Sequence, residues 1–149
     1  MLEAVIVDTS SLIALEKINL LTILCEIYSE VVLPESVINE FGNISLPCLS
    51  IRKVESSLSK LLMIDLNLGR GEAEVISLAN ESGLKVIIDD SKARRVAENM
   101  GLKITGTIGV LIKAEKLGLI ESAYNKAKEL RGKGFYVSDE LLEDISTLK

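Results

Sequence analysis

The sequence feature that most limits the fold is a series of short apolar runs, each followed by polar residues and a helical pattern. The runs at 4–7, 31–33 and 85–88 are rich in valine and isoleucine, as buried parallel strands are, and 102–104 forms a shorter one. Strands that alternate with helices predict an α/β fold with a mainly parallel central sheet of four to five strands and right-handed crossovers.

Residues that commonly start or end helices divide the remaining chain. They are Asn19 as a break between two short helices, Pro34 as a first helical residue, Gly42, Gly83 and Gly101 as stops, and Thr107 as an N-cap. Residues 43–68 are indistinct, and the apolar run 61–64 fits either a helix end or an edge strand. The amphipathic tail, 138–149, is either a packed terminal helix or a docking element.

Length and composition place the chain among soluble proteins of one domain, residues 1–149. It has 149 residues, of which 48% are hydrophobic, enough for one buried core. We find neither a run of about 18 apolar residues nor a signal peptide, so a cytoplasmic protein without membrane contact is expected. The net charge of -5 implies that any contact with nucleic acid is local or assisted by metal.

The absence of histidine excludes whole classes of active site. Without histidine, neither Ser-His-Asp nor Cys-His catalysis is available, and a Cys/His zinc site is excluded. Cys25 and Cys48 are expected to be buried free thiols rather than a disulfide framework. Hydrolytic chemistry in this chain must therefore come from carboxylates.

Acidic residues stand where the expected strands end. Asp8 follows the first strand, and Asp89 and Asp90 follow the strand at 85–88. Because the carboxyl ends of parallel strands share the ligand-binding edge of a sheet, these acids should lie near one another. Each also has a purely structural interpretation, since Asp8 and Asp89 can cap the helices that follow, with Asp90 in a first turn.

Three further acids lie on helices. Glu40 is in the last turn of its helix, where a negative charge is slightly unfavourable, and is either functional or a solvated surface residue. Glu72 and Glu74 lie in a first turn, where the helix dipole already favours them. A cluster of carboxylates is costly without a cation, and Mg²⁺, which prefers hard oxygen ligands, suits a site of carboxylates alone. Such a site is typical of phosphodiester hydrolysis.

Five motifs in this order resemble the PIN-domain nucleases. They are Val7-Asp8-Thr9-Ser10, Val32-x-Pro34-Glu35-Ser36-Val37-Ile38-x-Glu40-Phe41, Gly71-Glu72-Ala73-Glu74-Val75-Ile76, Ile87-Ile88-Asp89-Asp90-x-x-Ala93-Arg94 and Ile104-x-Gly106-Thr107-Ile108-Gly109. The resemblance covers residues 4 to 120, and the last two motifs are similar to those of a branch related to type II toxins.

The resemblance implies a Rossmann-like three-layer sandwich and a ribonuclease that needs Mg²⁺ or Mn²⁺ and cuts single-stranded RNA endonucleolytically. It also implies a homodimer and a toxin neutralised by a cognate antitoxin. The implied catalytic and metal-binding residues are Asp8, Glu40, Glu72 and Asp90, with Asp89 as a further ligand, Glu74, Thr9 and Ser10 in support, and Arg94 and Arg95 as contacts to nucleic acid.

Two other classes of function compete with the nuclease. A non-catalytic protein of the same fold would bind metal or nucleic acid within a larger assembly, but it would be expected to lose at least one of the four acids. A phosphoryl-accepting receiver or dehalogenase-like domain also has an acid after its first strand. Asp8-Thr9-Ser10 lacks the second acid that a dehalogenase carries two residues later.

Overall fold

Five strands form one parallel sheet in the computed structural model, which describes residues 2–148. The strands are β1 (Ala4–Val7), β2 (Glu30–Pro34), β3 (Leu49–Arg52), β4 (Lys85–Ile87) and β5 (Ile104–Thr105), in the spatial order β3-β2-β1-β4-β5. Every pairing in this sheet is parallel. The predicted α/β sandwich with a parallel sheet is therefore confirmed, and the sheet has five strands.

Helices connect the strands and cover the sheet. They are α1 (Thr9–Lys17), α2 (Leu24–Ile27), α3 (Glu35–Phe41), α4 (Ser57–Asp65), α5 (Arg70–Ser82), α6 (Ser91–Asn99), α7 (Thr107–Lys116), α8 (Ala123–Gly132) and α9 (Asp139–Ser146), with a 3-10 turn at Leu21–Ile23. Helix α5 contacts β1, β2 and β4 as well as α3, α4 and α6. Its predicted apolar stripe, Ala73, Ile76 and Ala79, is fully buried.

Some predicted boundaries are confirmed and others are wrong. The break near Asn19 is real, with a positive φ of 58° at that residue. The run 61–64 belongs to α4, and the edge strand is β3 instead. Pro34 ends β2 and precedes α3 rather than starting that helix. Thr107 is the first residue of α7, and Gly106 occupies the cap position.

The strand order creates a switch point between β1 and β4. From β1 the chain moves to β2 and β3 on one side, then crosses to β4 and β5 on the other. In such sheets the helices diverge at the switch point and leave a crevice beyond the strand ends. The N–H of Asp8 donates to the carbonyl of Ile87 at 3.0 Å, which joins the ends of β1 and β4 at this crevice.

The C-terminal tail packs against its own chain. Helix α9 contacts α8, with Leu142 and Ile145 buried, and Arg131 of α8 forms an ion pair with Asp139. The apolar side of α9 is therefore covered within the chain. Across residues 2–148, no helix is both long and apolar enough to cross a membrane.

The expectation of two free thiols is wrong. Cys25 in α2 and Cys48, just before β3, form a disulfide with a Cα–Cα distance of 5.6 Å. Parallel pairing of β2 with β3 brings the two residues together, since the N–H of Val31 donates to the carbonyl of Cys48 at 3.0 Å. The short distance between the two cysteines depends on strand order, which their spacing in the sequence does not specify.

Removing this disulfide should lower the stability of the protein. The bond joins residues 23 apart, and closing a loop of that length in the unfolded chain stabilises the folded state by about 3 kcal/mol. We expect Cys25→Ser/Cys48→Ser to lower the melting temperature by about 6–12 °C in differential scanning calorimetry. Dithiothreitol should lower the wild-type value similarly and leave that of the variant unchanged. Equal melting temperatures would show that the pair does not stabilise the fold.

Candidate active site

An acid-lined cavity lies at the switch point between β1 and β4. It has a volume of about 450 Å³ and is lined by Asp8, Glu40, Glu72 and Asp90, together with Thr9 and Ser10. The four acids come from the end of β1, the last turn of α3, the first turn of α5 and the start of α6. Residues from four separate segments thus meet at one cavity, and they are the four that the sequence predicted.

Asp8 is the most deeply buried acid of this cavity. It is only 3% exposed and caps α1, with Oδ1 accepting from the N–H of Thr9 at 2.9 Å. Burial raises its pKa to about 7, and the negative charges of Glu72, Glu40 and Asp89 add to the rise against the opposing hydrogen bond from Thr9. Asp8 therefore carries the main electrostatic cost of the acid cluster.

Glu72 and Asp90 lie against each other in the same cavity. Oε1 of Glu72 accepts from the N–H of Gly69 at 3.2 Å, and Asp90 caps α6 through the N–H of Ala93 at 2.9 Å. The pKa of Glu72 is raised, first by burial and then by the charge of Asp90. Asp90, and not Asp89 as expected, is the N-cap of α6.

Glu40 reaches the cavity because residue 71 has no side chain. A Cβ on Gly71 would overlap Oε1 of Glu40 and lie 3.2 Å from its Cδ. The Glu40 carboxylate therefore rests directly on the backbone of α5. This contact explains how an acid at the unfavourable end of α3 is directed toward the site.

Substituting alanine for Gly71 should displace Glu40 with little effect on stability. The overlap involves the flexible end of a side chain, and alanine is the better helix former by up to about 1 kcal/mol. We expect Gly71→Ala to unfold in urea at or slightly above the wild-type midpoint and to bind Mn²⁺ at least about tenfold more weakly, a loss of roughly 1.4 kcal/mol.

Gly132→Ala is the matched control, because a Cβ at Gly132 would meet nothing within 4 Å. It should leave Mn²⁺ binding unchanged. Unaltered Mn²⁺ affinity in Gly71→Ala would show that the position of Glu40 does not matter to the site.

Asp89 is held away from the cavity by a separate network. Its carboxylate accepts from the N–H of Thr107 at 2.8 Å, from the Thr107 hydroxyl, and from Ser11 Oγ at 2.8 Å. Asp89 thus links the first turns of α1 and α7 to the end of β4. Sequence reasoning missed Ser11 and assigned Thr107 to a cap, because the link joins three segments far apart in sequence.

Arg94 supports the same region instead of facing the cavity. One guanidinium nitrogen donates to the carbonyl of Ile88 at 2.8 Å. A Cβ on Gly106 would lie 2.7 Å from Asp89 Oδ1 and 2.8 Å from this Arg94 nitrogen, so the backbone there is closely packed. Arg95 is exposed, and neither arginine lines the acid cavity.

Glu74 also points away from the acid cavity. It is 6% exposed, with Oε1 accepting from Ser36 Oγ at 2.7 Å and Oε2 accepting from Arg70 Nε at 3.0 Å. The carboxylate therefore joins α3 to the first turn of α5. Its predicted supporting role is structural, and it orients Arg70, which the sequence analysis did not identify.

The chemistry of the cavity fits a hard divalent cation. Thr9 lines the cavity, and its Oγ1 is buried without a hydrogen-bond partner within residues 2–148. Such an atom commonly marks an ion or an ordered water. Over the same residues, no three acidic or cysteine side chains converge into a ready-made cage for a metal ion. Mg²⁺ needs no such cage, since it keeps several waters and is bound through one or two carboxylates.

Comparison with known families agrees with this geometry. A family model described as a PIN domain matches residues 4–148. The chain belongs to the PIN-domain family, whose members are in general nucleases. No curated protein matches the chain in sequence.

Proposed function

We propose that this protein is a Mg²⁺- or Mn²⁺-dependent endoribonuclease that hydrolyses single-stranded RNA. The observation that carries the proposal is the convergence of Asp8, Glu40, Glu72 and Asp90 at the switch point of a PIN-domain sheet. The raised pKa of Asp8, caused first by burial and then by neighbouring acids, supports it, because a cation would favour the charged carboxylate against both effects.

In this proposal the four acids hold the cation, whose positive charge would attract the substrate phosphate. Asp8, Glu40, Glu72 and Asp90, which all line the cavity, are the residues that would hold the cation. A cation there supplies a Lewis acid that stabilises charge on the attacked phosphate and makes water more acidic. Thr9 Oγ1 donates a hydrogen bond to a water in the cavity, and Glu72, whose pKa is raised, accepts a proton from attacking water.

Asp89 is left out of the proposed ligand set. Its three hydrogen bonds join α1 and α7, and it is absent from the cavity lining. It contributes negative charge near Asp8 instead. Ser10, which is exposed at the cavity mouth, is close enough to the site to contact substrate.

The biological setting is proposed from the sequence resemblance. By that resemblance the protein acts as a toxin in the cytoplasm, as a homodimer, and is neutralised by an antitoxin. A disulfide such as Cys25–Cys48 is not expected in the cytoplasm of a mesophile, because thiols are kept reduced there. Rapid alkylation of thiols in fresh cell extract, followed by mass spectrometry of the two cysteine peptides, tests the location and the pairing together.

The test of the proposed function is a cleavage assay on single-stranded RNA and DNA oligonucleotides of mixed sequence. Reactions contain Mg²⁺, Mn²⁺ or EDTA, and the wild-type protein is compared with Asp8→Asn. We expect cleavage of RNA with either metal, no cleavage in EDTA, and none by the variant. Equal cleavage by the variant, or cleavage in EDTA, would exclude a metal site at Asp8.

A further inference from the structure

A second, larger cavity adjoins the acid cavity. It has a volume of about 860 Å³ and is formed by α3, the segment between β3 and α4, α4 itself and the start of α5. Glu40 and Arg70 line both cavities, so the larger one continues directly from the candidate active site. Its volume is near the upper end of the roughly 300–1,000 Å³ typical of ligand sites.

Three cationic side chains line this second cavity: Lys53, Lys60 and Arg70. Lys60 makes no ion pair with any residue in the described part of the chain, and Lys53 pairs with Glu55 at 3.1 Å in an exposed position. Exposed pairs of this kind are weak and exchange readily. Four acidic side chains, Glu35, Glu40, Glu55 and Glu74, also line the cavity. Because Glu55 pairs with Lys53 and Glu74 with Arg70, the attraction of the cavity for a polyanion is confined to the immediate neighbourhood of Lys60 and of the terminal nitrogens of Arg70.

Arg70 is held at the boundary of the two cavities by a buried partner. Ser36 Oγ donates to Glu74, and Glu74 in turn accepts from Arg70 Nε. Only Nε is used in this contact, which leaves the terminal nitrogens of the guanidinium available, on a side chain that is 73% exposed. A guanidinium fixed through one edge can present its other edge to a phosphate.

Apolar residues provide a place for bases in the same cavity. Val54 and Met63 line it, and both are partly exposed. Methionine adapts its shape to different partners, which suits contact with unpaired bases. Only a single strand can bring bases into such a cavity, because a duplex keeps its bases stacked inside.

We propose that the larger cavity holds the single-stranded segment of the nucleic-acid substrate on one side of the cleaved bond. Phosphates lie against Lys53, Lys60 and Arg70, and a base rests on Val54 and Met63. This inference deepens the proposed nuclease function and rests on it. It assigns to substrate binding a surface built largely from residues 53–63, which the sequence pattern left indistinct.

The test is binding of a fluorescein-labelled single-stranded RNA of roughly 12 nucleotides, a length within the site sizes of single-strand binders. Fluorescence anisotropy is measured in EDTA, where cleavage does not interfere, over a series of salt concentrations. The variants are Lys53→Gln/Lys60→Gln and, as a control that removes one surface cation at a distance from the cavity, Lys103→Gln. Lys103 precedes β5, at the edge of the sheet opposite β3.

The double variant is expected to bind about five- to tenfold more weakly. The slope of log affinity against log salt should decrease by roughly 0.7 for each cation removed. Lys103→Gln should bind as the wild type does. RNA that carries 4-thiouridine should cross-link to residues 53–63 in the wild-type protein.

The outcomes separate this inference from the nuclease proposal, because the cleavage assay with Asp8→Asn is run in parallel. If the wild type cleaves RNA but the double variant binds like Lys103→Gln, the cavity assignment is overturned and the nuclease remains. If nothing is cleaved but the double variant binds more weakly with the smaller salt slope, the cavity binds single-stranded RNA, and the nuclease proposal, with the position of the cavity beside a cleaved bond, is overturned. Absence of single-strand binding by the wild type overturns the cavity assignment.

Discussion

Replacing Asp8 by asparagine is expected to stabilise the metal-free protein at about pH 8 while abolishing its activity. The folded-state pKa of Asp8 is about 7, against 3.8 for the free side chain. The folded protein therefore binds more protons than the unfolded chain between these values, and stability falls as the pH rises through that window. Asparagine removes the charge, fills the same space and retains an oxygen for the N–H of Thr9.

The expected gain is about 2 kcal/mol in the free energy of unfolding at pH 8 in EDTA. This is roughly half of what the full shift in pKa implies, because relaxation and water penetration reduce the cost of burying the charge. The difference should shrink as the pH falls, and at about pH 3, below the pKa of the free side chain, Asp8 is neutral in both the folded and the unfolded protein, so the variant and the wild type should unfold at the same urea concentration. The free energy of unfolding should therefore depend less on pH in the variant than in the wild type.

Mn²⁺ should make the wild type more stable than Asp8→Asn, which is the reverse of their order in EDTA. Mn²⁺ binds the folded wild type and raises its melting temperature, whereas Asp8→Asn should show little response. Asp8→Asn removes a proposed metal ligand, and a bound cation stabilises the charge of the transition state by several kcal/mol. The variant should therefore cleave RNA about 10³-fold or more slowly than the wild type. If Asp8→Asn is instead less stable than the wild type at pH 8 in EDTA, the charge of Asp8 does not destabilise the folded protein.

The adjacent acids Asp89 and Asp90 should respond to substitution in opposite ways. Asp89→Ala leaves the N–H and hydroxyl of Thr107 and the hydroxyl of Ser11 without their acceptor, and both of these residues are buried. Unsatisfied buried donors cost about 1–3 kcal/mol each. Because water can reach some of them, the free energy of unfolding should fall by about 3 kcal/mol in total. The melting temperature should fall by about 6–12 °C.

Asp90→Asn should leave stability close to that of the wild type. Asparagine caps helices as well as aspartate does, so the hydrogen bond from the N–H of Ala93 is kept. Removal of one proposed ligand should nevertheless lower cleavage by about 10²-fold, a loss of nearly 3 kcal/mol in transition-state stabilisation.

Urea unfolding and calorimetric titration with Mn²⁺ separate the two roles. Asp89→Ala should be less stable and still bind Mn²⁺ when folded, whereas Asp90→Asn should be stable and bind it weakly. The reverse pattern would make Asp89 the ligand and Asp90 only a cap. Glu74→Gln provides a further comparison, because Glu74 orients Arg70 without lining the acid cavity.

Much of the fold follows from local patterns in the sequence. The run 4–7 is apolar on both faces, which predicts a buried parallel strand. The spacing of Ala73, Ile76 and Ala79 predicts the helix α5. The break at Asn19 and the stop at Gly83 can be predicted because both residues belong to types that accept positive φ more easily than most, and both adopt it in the structure. Residues 43–68 were indistinct because β3 is a short edge strand, half exposed and without regular alternation.

The sequence by itself determined the α/β class, the parallel sheet and the acids that stand where strands end, because these depend on local periodicity and on the common direction of parallel strands. Tertiary structure decided which acids share the cavity. Gly71 admits the carboxylate of Glu40, and Thr107 with Ser11 holds Asp89 apart from Asp90. It also paired Cys25 with Cys48 and built the cavity lined by Lys53 and Lys60. These features join segments distant in sequence, so their geometry depends on strand order and helix packing, which no local pattern specifies.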